Sequence, residues 1–179
     1  MGGEPPREGR RPVIGVMGAG EATRGSLQLA RELGRGIAQQ GWVLLTGGRP
    51  EGVMAAASAG AKEVPGSLVL GILPSASGGV GPDVDVAVFT GMGEARNVVN
   101  VLSSDVVVAC GVEGPGTASE VALGLKAGRL VLLLGADPAA LAFFRQLGGR
   151  GRLLEARTVS EALDLIRSEI GPAPRDHLP

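Results

Sequence analysis

Short unbroken apolar runs recur along this chain. Each is followed by a turn rich in glycine and then by residues with helical spacing. The runs at Val13–Met17, 42–45, 67–73, Val86–Phe89, Val106–Cys110, Leu130–Leu134 and 155–158 predict strands. Between them, apolar residues three and four apart predict a helix over 23–40, capped by Thr23 or Ser26 and ended by Gly41. The same reasoning places helices over 53–62, 94–103, from Gly116 to about 127, over Pro138–Leu147, and over Val159–Ile170 with Ser160 as its cap. Residues 74–85, rich in Ser, Gly and Pro, predict a long loop of the kind that lines binding sites.

Strands alternating with helices define an α/β protein with a parallel sheet. Runs such as VVVAC and LVLLL are apolar on both sides, as strands covered on both faces require. The expected fold is Rossmann-like and doubly wound, a mostly parallel sheet of about six or seven strands with helices on both faces. The expected organisation is a disordered leader over 1–11, a single nucleotide-binding domain over 12–171, and a loose tail over 172–179. Ligands of such sheets bind beyond the carboxyl ends of the strands. Three glycine-rich loops fall at that edge. The first is Gly18-Ala19-Gly20, the second Thr46-Gly47-Gly48-Arg49, and the third contains Gly111, Gly114, Gly116 and Thr117. Free N–H groups where the last loop enters its helix predict an anion site, ahead of the plain alternative of a tight strand-to-helix turn.

Composition narrows the classes of function. The formal net charge is −1, with no Tyr, one Trp and three Phe. Nucleic acid is therefore not an expected partner, because single-strand binding needs basic grooves and stacking platforms. No apolar stretch reaches membrane-spanning length, so no membrane association is expected. One cysteine and no apolar segment near the N-terminus predict a cytoplasmic protein. Cys110 closes a buried run and reads as a core residue. With one His and one Cys in the chain, no metal site is expected. Gly18 to Gly20 lacks the full dinucleotide fingerprint, so NAD is not expected.

Three segments carry a resemblance. GGRPEGVMAAASAGA at 47–61, GMGEARNVVNVLSSD at 91–105 and GPGTASE at 114–120 resemble the LONELY GUY (LOG) superfamily. They are most similar to its small bacterial branch, related to the DNA-processing protein DprA and to molybdenum cofactor carrier proteins. The likeness covers roughly residues 12–135. It implies a phosphorylated, nucleotide-like small molecule as ligand, with no cofactor required. That ligand would be a nucleotide monophosphate or the molybdenum cofactor. It also implies a homodimer or homotetramer. The lysine decarboxylase label long attached to the superfamily implies no decarboxylase here. Arg96 and Glu120 match the pair with which LOG enzymes cleave nucleoside 5'-monophosphates, so the resemblance makes them candidate catalytic residues for phosphoribohydrolase activity. Val112 and Glu113 replace the enzymes' Pro and Gly, and Asn97 replaces a Lys. These departures favour the alternative of a non-catalytic carrier or sensor. Glu113 should repel a phosphate unless it is turned away.

The residues also allow local readings. Thr117-Ala118-Ser119-Glu120 fits a capping box in which Glu120 bonds back to Thr117. Arg96 suits an oxyanion ligand, or a salt bridge between helices. Asn97 and Asn100 share a helix face and either meet a ligand or bond loop backbone. Arg49 is either a ligand contact or a solvated surface charge.

Overall fold

The computed structural model describes residues 10–171. Its strands are β1 Val13–Met17, β2 Val43–Thr46, β3 Leu68–Leu73, β4 Val86–Phe89, β5 Val106–Cys110, β6 Leu130–Leu134 and β7 Arg152–Ala156. The helices are α1 Arg24–Gln39, α2 Gly52–Lys62, α3 Asn97–Ser103, α4 Pro115–Lys126, α5 Pro138–Leu147 and α6 Val159–Ile170. A short 3-10 turn, Gly93–Arg96, leads into α3.

The strands form one sheet in the order β4-β3-β2-β1-β5-β6-β7, and every pairing is parallel. The fold is thus the expected α/β, Rossmann-like, doubly wound one. The chain winds outward from β1 to β4, then returns to lay β5 on the other side of β1. That reversal opens a crevice beyond the carboxyl ends of β1 and β5.

Alternation along the strands divides the core between two faces. Ile14, Val16, Leu44, Val108 and Leu132 pack with Leu33 and Ile37 of α1, Ala57 of α2 and Ile166 of α6. Their neighbours Met17, Leu45, Val107, Ala109 and Leu133 pack with Val101 of α3, Val121 and Leu125 of α4, and Phe144 of α5. Arg10 pairs with Asp105 and Arg11 bonds the Gly41 carbonyl, so these two residues of the expected leader are tied to the sheet. The other leader residues and the tail at 172–179 lie outside the described residues.

Four local expectations are corrected. α4 starts at Pro115 with Gly114 as its N-cap, so Thr117 is the third helical residue and no capping box forms. The cause is Pro115, whose fixed φ suits a first helical position, preceded by Gly114 in extended conformation. α6 is capped by Thr158, which accepts from the Glu161 N–H, and not by Ser160. β7 begins at Arg152, earlier than 155, because pairing with β6 runs from Leu130 opposite Arg152. The expected helix over 94–103 splits into the 3-10 turn and α3. Thr23, one of two expected caps for α1, is its N-cap, accepting from the Ser26 N–H.

Candidate functional site

The loops after β1, β2 and β5 converge at the crevice, as their positions in the chain predict. They are locked together through backbone. The Val53 N–H donates to the Ala19 carbonyl at 3.1 Å, which ties the start of α2 to the first loop. Gly52 turns the chain there with φ +57°, and a Cβ on it would collide with that carbonyl.

A cleft of about 210 Å³ lies between these loops. Gly18, Ala19 and Gly20 line it from the first loop, and Gly47 and Arg49 from the second. Gly114, Gly116, Thr117 and Glu120 line it from the third loop and α4, and Arg96 and Asn97 from α3 and its leading turn. Three expected contacts are not in its wall. Thr46 is buried and braces the second loop by accepting from the Gly48 N–H at 3.1 Å. Gly48 lies behind that brace, against Gly71 and Leu73. Gly111, with φ +68°, forms the left-handed turn that ends β5 and lies against Ser26.

Arg96 is the central cation of the cleft. It is 6% exposed, yet its Nε has no hydrogen-bond partner among the described residues. A Cβ on Gly47 would collide with its guanidinium and with the Met54 sulfur. Glycine at 47 therefore makes room for Arg96. Burial lowers the Arg96 pKa, and nearby Glu120 and Glu94 oppose that shift. No ion pair joins Arg96 to Glu120 within the described residues, so the helix-locking salt bridge is not what the structure shows.

Glu120 is also 6% exposed and accepts from Asn100 Nδ2 at 3.0 Å. Burial pushes its carboxyl up to about 7, against the opposing pull of Asn100 and Arg96. Asn100 thus bonds a carboxylate, not loop backbone, and its Oδ1 is buried without a partner among the described residues. Asn97 reaches Ser119 Oγ at 3.4 Å. Arg49 lies 3.3 Å from Glu51 and is partly exposed. Arg49 is paired with Glu51, so the positive charge the cleft offers an anion is that of Arg96, beside Glu94 and Glu120. The first turn of α4 adds the positive end of its dipole.

Glu113 is turned away from the cleft. Its Oε1 accepts from Thr23 Oγ1 at 2.8 Å and from Ser26 Oγ at 2.7 Å, and its Oε2 from the Thr23 N–H at 3.0 Å. Partial burial pushes its pKa up, but these bonds outweigh that and hold the carboxylate below its ordinary range. Cys110 is buried, and burial raises its thiol to about 12, in keeping with a core role.

Sequence reasoning missed Glu94, Met54, Val16, Met17 and Pro115, which also line the cleft. Glu94 carried a signal, since it stands two residues before Arg96 in the same segment. Met54 carried a weaker one, as an apolar residue just past a glycine-rich loop. Among the described residues, no helix is long and apolar enough to cross a membrane, and no cluster of His, Cys, Asp and Glu suits a metal ion.

Fold and cleft together define a Rossmann-like protein with a ligand cleft at the point where strand order reverses. The chain belongs to the SLOG cluster4 family, whose model matches residues 11–163. This bears out the superfamily resemblance drawn from the three motifs. The structure is similar to that of the molybdenum cofactor binding protein from the phototrophic bacterium Rippkaea orientalis. That likeness has a TM-score of 0.86 and 49% identity over 91% of this chain and 99% of that one. It is also similar to the molybdenum cofactor carrier protein from Chlamydomonas reinhardtii, with a TM-score of 0.81 and 47% identity over 88% of this chain and 98% of that one. DNA processing protein A from Helicobacter pylori shares the fold at 18% identity and a TM-score of 0.66, over 89% of this chain and 81% of that one.

Proposed function

We propose that this protein binds the molybdenum cofactor in the cleft and carries it as cargo, in the cytoplasm, as a homodimer or homotetramer. The observation that carries this reading is Arg96, a buried cation whose Nε lacks a partner, at the start of a helix aimed into the cleft. Such a group suits the terminal phosphate of the cofactor's pterin. The likeness to two proteins described as binding or carrying this cofactor supports it over nearly the whole length of all three chains. The protein would grip the cofactor by its organic part, since the described residues offer no cluster of metal ligands. Exposed Val98 and Leu102 on α3 are apolar surface that self-association would cover.

The test is retention. The purified chain, mixed with cofactor released from a donor enzyme, is passed through size exclusion and assayed for molybdenum and for fluorescent oxidised pterin. Co-elution of both, lost in R96A, supports the reading; elution of protein free of both overturns it.

One observation favours a second reading, phosphoribohydrolase activity. Two carboxylates, Glu94 and Glu120, share the cleft, and Glu120 has a pKa of about 7, suited to proton transfer. Release of adenine from AMP, abolished by E120Q, would support it; no release by folded protein would exclude it for AMP.

A further inference from the structure

Met54 differs from the other large apolar residues of the cleft wall. Val16 and Met17 belong to the two apolar clusters that pack the faces of the sheet. Met54, in the first turn of α2, lines the cleft and is only 8% exposed, yet it belongs to neither cluster. Its sulfur lies beside Arg96 instead. A Cβ on Gly47 would stand 2.7 Å from the Met54 Sδ and would meet both terminal nitrogens of the Arg96 guanidinium. The two side chains therefore face each other across the space that glycine leaves open. A thioether is a weak acceptor, and the Arg96 Nε has no partner among the described residues. The cation stays available to a ligand because its neighbour is sulfur and not oxygen.

We propose that Met54 is a modification site, and that oxidation of its thioether to the sulfoxide weakens anion binding at Arg96. The oxidant is a peroxide. A sulfur lone pair attacks one peroxide oxygen, and the S–O bond forms as the O–O bond breaks. The departing oxygen takes the proton from the transferred one and leaves as water. Sulfur gives up two electrons and hydrogen peroxide accepts them. The product is a polar sulfoxide, which methionine sulfoxide reductases return to the thioether. Its oxygen is a strong acceptor set against a guanidinium with an unpartnered donor, and the bond it makes is charge-assisted. A ligand anion must then compete for the same cation. This last step rests on the anion-binding reading above; the oxidation does not. Met17 is 2% exposed and packed in a core cluster, so it reacts more slowly than Met54. Met92 is 50% exposed and lies outside the cleft wall, so its oxidation comes first and leaves the cleft unchanged.

The experiment treats the full-length chain with hydrogen peroxide, removes the peroxide by desalting and maps sulfoxides by peptide mass spectrometry. Inorganic phosphate is then titrated by calorimetry. Wild type, M54L and M54Q are each compared before and after treatment. In wild type, Met54 is expected to become sulfoxide ahead of Met17, and phosphate affinity to fall about tenfold. Methionine sulfoxide reductase should restore it. In M54L, affinity after treatment should equal affinity before it, although Met92 is oxidised. M54Q sets a permanent acceptor at the same point, so it should bind phosphate about tenfold more weakly than M54L with no oxidant present. A thioether that survives at Met54 while Met92 is oxidised overturns the proposal. So does a Met54 sulfoxide with undiminished affinity, or an equal loss in treated M54L. Treated wild type and M54Q should melt within about 4 °C of untreated wild type. A larger drop in both would make Met54 a support of the fold and also overturn the proposal. Failure of untreated wild type to bind phosphate overturns the anion-site reading itself, and this inference with it.

Discussion

Asn100 on α3 donates its side-chain N–H to the Glu120 carboxylate on α4 at 3.0 Å, and both residues are buried. The bond fixes the carboxyl at the cleft wall and leaves it in surroundings that disfavour its charge, with the pKa raised from 4.5 to about 7. This carboxyl therefore titrates within the ordinary working range of a protein, and most of its consequences can be measured through pH.

The first consequence is for stability. Between pH 4.5 and about 7 the folded protein holds a proton on Glu120 that the unfolded chain has released. Stability contributed by this group is complete below 4.5, falls as pH rises through that window, and levels off above it. The slope is about 1.4 kcal/mol per pH unit at most. Denaturant titrations at pH 5, 6, 7 and 8 should show wild type losing stability relative to E120Q up to pH 7 and then running parallel. Parallel curves across the whole range would show that Glu120 ionises at an ordinary pKa.

Arg96 carries the opposite bargain between stability and binding. Its Nε is buried with no partner among the described residues, so the unliganded protein bears a desolvation penalty of about 1–3 kcal/mol for a group of this kind. R96M keeps much of the side chain's length without the charge. It is expected to melt at the same temperature as wild type or higher, and to lose roughly ten- to a hundredfold in phosphate affinity. R96K should not rescue binding fully, because an ammonium lacks the planar fork. A strongly destabilised R96M would show that the guanidinium supports the fold.

What could be read before folding was local. The strands showed as apolar runs, and the glycine loops after β1, β2 and β5 fell at one edge once a parallel sheet was inferred. The Thr117–Glu120 pattern was local too and misled, because Pro115 starts α4 earlier and leaves Glu120 to face α3. Partnerships across the fold were not legible. Glu113 meets Thr23 across 90 positions of sequence, and Asn100 meets Glu120 across 20. Arg96 was found through the resemblance, but its burial with an unpartnered Nε follows from packing against Gly47 and Met54, which spacing does not encode.

Gly47 offers a test of that packing. Alanine there would press on the Arg96 guanidinium and the Met54 sulfur, the far ends of two flexible side chains. The fold should survive while Arg96 is pushed from its place. G47A is expected to keep its melting temperature within about 4 °C, under roughly 1 kcal/mol for a domain of this size. Calorimetry should show phosphate affinity falling about tenfold. Unchanged affinity would mean that Arg96 reaches its ligand from more than one position.

The last prediction joins the cleft's charge to its ligand. Arg96 faces the cleft beside Glu94, while Arg49 is paired with Glu51; Glu120 adds a negative charge as it ionises near pH 7. An anion bound beside Glu120 should raise that carboxyl's pKa further, because a like charge disfavours ionisation. By linkage, the bound state then holds more protons than the free one, so affinity must fall as pH rises through 7. Sulfate is the suitable probe, since its own charge is constant over this range. If its binding moves Glu120 by one unit, affinity drops about fivefold between pH 6 and 8. E120Q should bind sulfate with nearly the same affinity at both values. A pH dependence that persists in E120Q would assign it to another group, and its absence from wild type would place the anion away from α4.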